Sequence, residues 1–197
     1  FDVTPIAGAP SPPPPGPTGP PPAITSPLLA FTKGSTLAAL ASTVNPRGEA
    51  ITPPGFPTGS TLVPGDVLVT APGLNQVMRV DATGAASTFA ADASLTDSAN
   101  GSLANLGYLQ TPQDVAIDLS GRVWVATSAG TNGNGGTGNV AVLDGSGRVL
   151  LQGAALAVVQ DGAFRGPVSL EWNAGAGSTQ ALFVASGTMG NAIALRV

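Results

Sequence analysis

LQTPQDVAIDLSGRVWVAT, residues 109–127, holds two short apolar stretches on either side of one polar turn. DVAID alternates apolar and polar positions, and VWVAT is rich in the β-branched and aromatic residues that suit a pleated surface. Pro112 has no N–H to give to a ladder, so it suits the first residue of a strand. Asp118-Leu119-Ser120-Gly121 supplies the acceptor side chain and the glycine that a tight reversal uses. The stretch therefore predicts a two-stranded antiparallel unit, and no helical spacing flanked by caps competes with it.

The same grammar recurs on both sides. GDVLVTA (65–71), QVMRVDATG (76–84), QDVAIDLSG (113–121), GRVWVAT (121–127), NVAVLDGSG (139–147), PVSLEWNAG (167–175), QALFVASG (180–187) and NAIALRV (191–197) all read as strands of about five residues bounded by turn residues. GDVLVTAPGLNQVMRVDATGAASTFA reads strand, turn, strand, Asp-x-x-Gly turn, strand. GRVWVATSAGTNGNGGTGNVAVLDGSGRVLLQ repeats it with a longer loop, and QALFVASGTMGNAIALRV repeats it incompletely. GEAITP, PQDVAID and PVSLEW precede the three units in turn. Each unit is a four-stranded meander with two apolar faces, and stacking such sheets around an axis is the arrangement that buries both. The fold class expected is an all-β propeller over 28–197, with about three blades visible. Three blades make a partial ring, so either the chain is part of a longer one or other chains supply the rest. STLAALAST (35–43) reads as an outer strand that completes a blade.

Residues 109–127 resemble the NHL-type β-propellers in their Pro, apolar-Ala-apolar-Asp strand, Gly, and aromatic-Val-Ala strand. PGDVLVTAPGLNQVMRVDATG (64–84) resembles the following part of that repeat, and the whole resembles uncharacterised exported bacterial propellers. The resemblance covers roughly 37–197. It implies a fold and leaves activity open, because propellers host many functions.

Residues 1–27, FDVTPIAGAPSPPPPGPTGPPPAITSP, are a separate object. Proline at this density favours polyproline II and forbids helix and central strand. The segment reads as a linker or as an arm docked on a partner, with Pro12, Pro13, Pro14 and Pro15 as its contact residues. The first residue is Phe1 rather than Met, and removal of an export signal is the expectation drawn from that.

Composition narrows the chemistry. Charged residues are 9% of the chain, against roughly 25% in average domains. This low charge and the missing Met lead to an expected extracytoplasmic location: periplasm, cell surface or secreted. The net charge is −4 and no two basic residues are adjacent, so no stripe exists to neutralise phosphates and no nucleic-acid partner is expected. No run of about 18 apolar residues predicts a transmembrane helix; peripheral attachment to a membrane complex stays open. There is no His and no Cys, which removes imidazole bases, thiolate nucleophiles and disulfides. It also removes the metal-ligating His that peptide-amidating lyases with a similar repeat grammar need.

Asp81, Asp118 and Asp144 each close a strand before a glycine turn and read as structural. Asp114 and Asp118 lie at i and i+4 of one strand and share a face. With Asn139 or Asn132 they form the candidate Ca²⁺ set, though the dense Asp loop of a dedicated site is missing. SAGTNGNGGTGN (128–139) lacks the ending of a phosphate-binding loop and reads as a rim loop, with Asn132 and Asn134 as contact candidates. Trp124 reads as packing between blades. Phe164, Arg165 and Trp172 are interface candidates. Glu49 and Glu171 are the only glutamates for a lactonase-like metal site. No catalytic residue and no cofactor are expected. The function expected is a non-catalytic protein-binding or scaffolding subunit of a larger assembly, its Pro-rich arm docked on a partner. The alternatives are a metal-dependent hydrolase or lactonase with its other ligands elsewhere, and a structural subunit of an envelope complex or fibre.

Overall fold

The computed structural model describes residues 46–129, 138–153, 155–159, 166–173, 181–186 and 192–196. The Pro-rich segment with Pro12–Pro15, the strand expected at 35–43, and Asn132, Asn134, Phe164 and Arg165 lie outside them.

The described chain is all-β. In the first sheet β1 (Glu49–Ile51), β2 (Val67–Ala71), β3 (Gln76–Val80) and β4 (Ala86–Ala91) pair antiparallel in chain order. In the second, β5 (Pro112–Ile117), β6 (Val123–Thr127) and β7 (Asn139–Leu143) do the same. The third holds β11 (Pro167–Asn173), β12 (Ala181–Ser186) and β13 (Ala192–Arg196). The eight stretches quoted above as strands from residue 65 onward each coincide with one of these. A bulge follows the opening proline of β5, between Pro112 and Asp114, and another follows that of β11, between Pro167 and Ser169. A proline without an N–H at the strand start leaves the ladder free to slip there.

The outer strand of the second sheet differs from the expected continuous GRVLLQ. Val149 bridges Leu143, and the Leu150 N–H donates to the Val142 carbonyl. The chain then leaves as a small hairpin, β8 (Leu151–Gln152) against β9 (Ala155–Leu156). It returns as β10 (Val158–Val159), which pairs Ala141 and Val140. Gly153, at φ 65°, permits the reversal. The connection 92–111 also adds to this sheet, since Asp97 forms a parallel bridge with Val149.

The core explains the stacking. Leu68, Val77 and Ala90 of the first sheet pack with Val115, Val123, Val125, Ala141 and Leu143 of the second. The opposite face of the second sheet, with Ala116, Trp124, Ala126, Val140 and Val142, packs with Leu170, Leu182 and Val184 of the third. Successive side chains of a strand point to opposite faces, so β6 and β7 are buried at every position. A sheet apolar on both faces is stable only between two others, which is the blade arrangement expected.

Candidate functional site

Four turns share one construction. Asp81, Asp97, Asp118 and Asp144 each accept at Oδ1 from the backbone N–H two and four residues on. The fourth position of each is left-handed: Gly84, Asn100, Gly121 and Gly147. Asp97 was not singled out in the sequence because Asn100 stands where the others have glycine; Asn tolerates that region through its short polar side chain.

Two of these turns add an arginine at the fifth position. Arg122 Nε donates to Asp118 Oδ2 and Arg148 Nε to Asp144 Oδ2, the latter at 3.2 Å. Asp118 also accepts from Trp124 Nε1 at 3.0 Å, and the Arg122 guanidinium lies 5.3 Å from the centre of the Trp124 ring. The carboxylate of Asp118 is fully buried, while Asp144 is partly exposed. A third ion pair, Asp66 with Arg79 at 2.7 Å, closes the end of the first sheet.

The exposed turn at Asp81 shows the electrostatic consequence. The Thr83 hydroxyl, followed by the backbone N–H groups of Ala85 and Thr83, holds its carboxyl below the ordinary value. These donors favour the charged form.

Loop 53–62 folds back over the second sheet. The Ser60 hydroxyl donates to the Gly145 carbonyl at 2.6 Å, and the Thr61 N–H donates to the same oxygen. A cleft of about 210 Å³ remains, walled by Phe56, Pro57, Ser60, Arg122, Asp144 and Leu150. Its wall is mostly apolar. The one cation there already faces a carboxylate, so the cleft suits contact with a neutral or amphipathic group rather than bond-making chemistry.

Asp114 ties the sheets together at their inner strands. Its Oδ2 accepts from the Leu170 N–H at 2.7 Å and the Ser169 hydroxyl at 3.0 Å. A side chain at Gly48, just before β1, would overlap Asp114. Pro46-Arg47-Gly48, Pro112-Gln113-Asp114 and Pro167-Val168-Ser169 are the same three positions in successive units. That alignment is the signal by which the junction could have been found.

The proposed Ca²⁺ set does not converge. Asp114 and Asp118 share a face as read from the sequence. Four residues of strand, about 13 Å, separate them, and each is filled by donors. Asn139 pairs Thr127 at the far end of β6 from the Asp118 turn. Among the described residues no three His, Cys, Asp or Glu side chains group as metal ligands. Trp172, an interface candidate by sequence, is half-buried. It shares a face with Leu170 and packs toward the second sheet, its Nε1 enclosed with no acceptor among the described residues. Trp124 packs between sheets as expected. Glu49 and Glu171 lie exposed on β1 and β11, the two outer members of the stack.

Sequence reasoning missed Asp92, which is buried and accepts from the Gly107 and Leu109 N–H groups, so fixing the 92–111 connection. It also missed Thr111. This β-branched residue stands at φ 52° immediately before Pro112, where the left-handed region is disfavoured. Bonds from its N–H to Asn75 Oδ1 and to its carbonyl from Gln113 Nε2 hold it there.

No family model and no curated protein matches the chain. Among solved structures it is similar to a streptogramin B lyase, with 12% identity and a TM-score of 0.40 over 79% of this chain. The similarity covers 41% of that structure, so the chain spans about two fifths of its length.

Proposed function

We propose that this chain is a non-catalytic recognition and scaffolding module of the NHL-type propeller kind, working outside the cytoplasm within a larger protein assembly. What supports the reading is how its acids are used. All seven described aspartates, at 66, 81, 92, 97, 114, 118 and 144, accept from backbone N–H groups, and three of them also hold an arginine. Carboxylates bound this way hold turns and join sheets; they are not poised as bases or metal ligands. The stack then presents its loops and its cleft to other subunits. Cross-linking in the native producer followed by mass determination tests this, with one polypeptide at fixed stoichiometry expected. Stoichiometric divalent metal by elemental analysis, with heat on Ca²⁺ titration into chelated protein, would overturn it in favour of a metal enzyme.

A further inference from the structure

Asn100 and Gly101 stand exposed at the tip of the Asp97 turn. An Asn followed by Gly is open to an internal reaction, because no side chain shields the glycine nitrogen. That nitrogen attacks the side-chain carbonyl carbon Cγ of Asn100. The amide nitrogen leaves with the proton as ammonia, and a five-membered succinimide forms. Solvent water then opens the ring at either carbonyl, giving aspartate or isoaspartate. The fold itself demands the glycine, since a Cβ at 101 would lie 2.5 Å from Asp97 Oδ2.

The same turn restrains the reaction. The Gly101 N–H donates to Asp97 Oδ1 at 2.7 Å, its carbonyl accepts from the Asp97 N–H, and the Asn100 N–H donates to the Asp97 carbonyl. A carboxylate on that proton opposes the amide anion that attack requires. Geometry opposes it too. Ring closure needs the glycine nitrogen on the same side of the Asn100 Cα–C bond as Cβ. Asn100 has φ 67°, and left-handed backbone, with ψ about +47°, turns that nitrogen to the opposite side. We infer that Asn100 is a modification site of this chain: it deamidates when the 97–101 turn opens, and Asp97 sets how often that happens. Arg148 Nη1 lies 3.2 Å from Asn100 Oδ1, so the aspartate product adds a negative charge beside that guanidinium. The isoaspartate product routes the backbone through Cβ and lengthens a turn whose hydrogen bonds fit four residues. Asp97 bridges Val149 and the Ser98 N–H donates to the Val149 carbonyl, so conversion loosens the 92–111 connection from the second sheet. This site is independent of the recognition reading.

Incubation of the full chain near neutral pH tests it, with amide-to-acid conversion at each residue read by peptide mapping and tandem mass spectrometry. Mapping separates residue 100 from Asn132-Gly133 and Asn134-Gly135, which lie outside the described residues. Asn100 should convert about tenfold more slowly in the native chain than in a synthetic peptide of residues 95–104, the effect of one bond to a charged group. Asp97→Ala should raise the native rate by about the same factor. Asp97→Asn, which keeps a neutral acceptor, should raise it about threefold and decides the matter alone where circular dichroism shows Asp97→Ala unfolded. Conversion of native Asn100 as fast as in the peptide overturns the inference. So does a native rate that neither folded Asp97 variant increases.

Discussion

The second and third sheets are built from the same repeat and differ in what lies against them. β6 and β7 are buried at every position. The third sheet has Leu170, Leu182 and Val184 buried on one face, while Phe183 on the other is 40% exposed. The same strand grammar therefore serves as a doubly covered core layer in one place and a one-sided surface layer in another. What distinguishes them is neighbourhood, and it shows in composition only where Glu171 replaces the small Ala116.

The strongest way to break that comparison is to place a charge in each sheet. Val125→Asp should abolish folding, because an unpaired buried carboxylate has no donor there. Phe183→Asp should fold, with a cost of about 1 kcal/mol or less; thermal melts by circular dichroism check both. Next come the two Asp–Arg turns of the second sheet. Asp118→Ala strips a buried carboxylate from Arg122 and Trp124 and should cost about 3–5 kcal/mol. Asp144→Ala, at a partly exposed turn, should cost about 1 kcal/mol; urea denaturation measures the difference. A smaller contrast separates two glycines of nearly equal φ. Gly121→Ala places a methyl against the Pro57 ring and should cost about 2 kcal/mol. Gly84→Ala meets open space and should cost about 1 kcal/mol.

The smallest effect is a pH dependence in the first sheet. The Asp81 carboxyl titrates below its ordinary value because its turn donates to the charged form. The stability it contributes is present above the unfolded-state value. It is lost as pH falls through the lower folded-state value. Carboxyl carbon NMR should place its midpoint below the ordinary Asp range, and Thr83→Ala should move that midpoint up.

The stacking was legible because apolar strands at regular intervals have few other ways to bury both faces. LLQGAALAVV was less legible, since an apolar run gives no sign that Gly153 turns it out of the sheet and back. Three of the Asp turns could be read from Asp-x-x-Gly, and the fourth was hidden by Asn100. The reach of Asp114 to Leu170 depends on how two sheets meet, which no local pattern encodes. Trp172 was misplaced for the same reason: at a strand end, parity decides the face, and the bulge after Pro167 obscures the count.

Amide hydrogen exchange tests the central claim of a doubly covered layer most directly. Residues 123–127 and 139–143 should exchange slowest in the chain, near the global unfolding limit, and 181–186 measurably faster. Equal protection of 181–186 and 123–127, or fast exchange across 139–143, would contradict it.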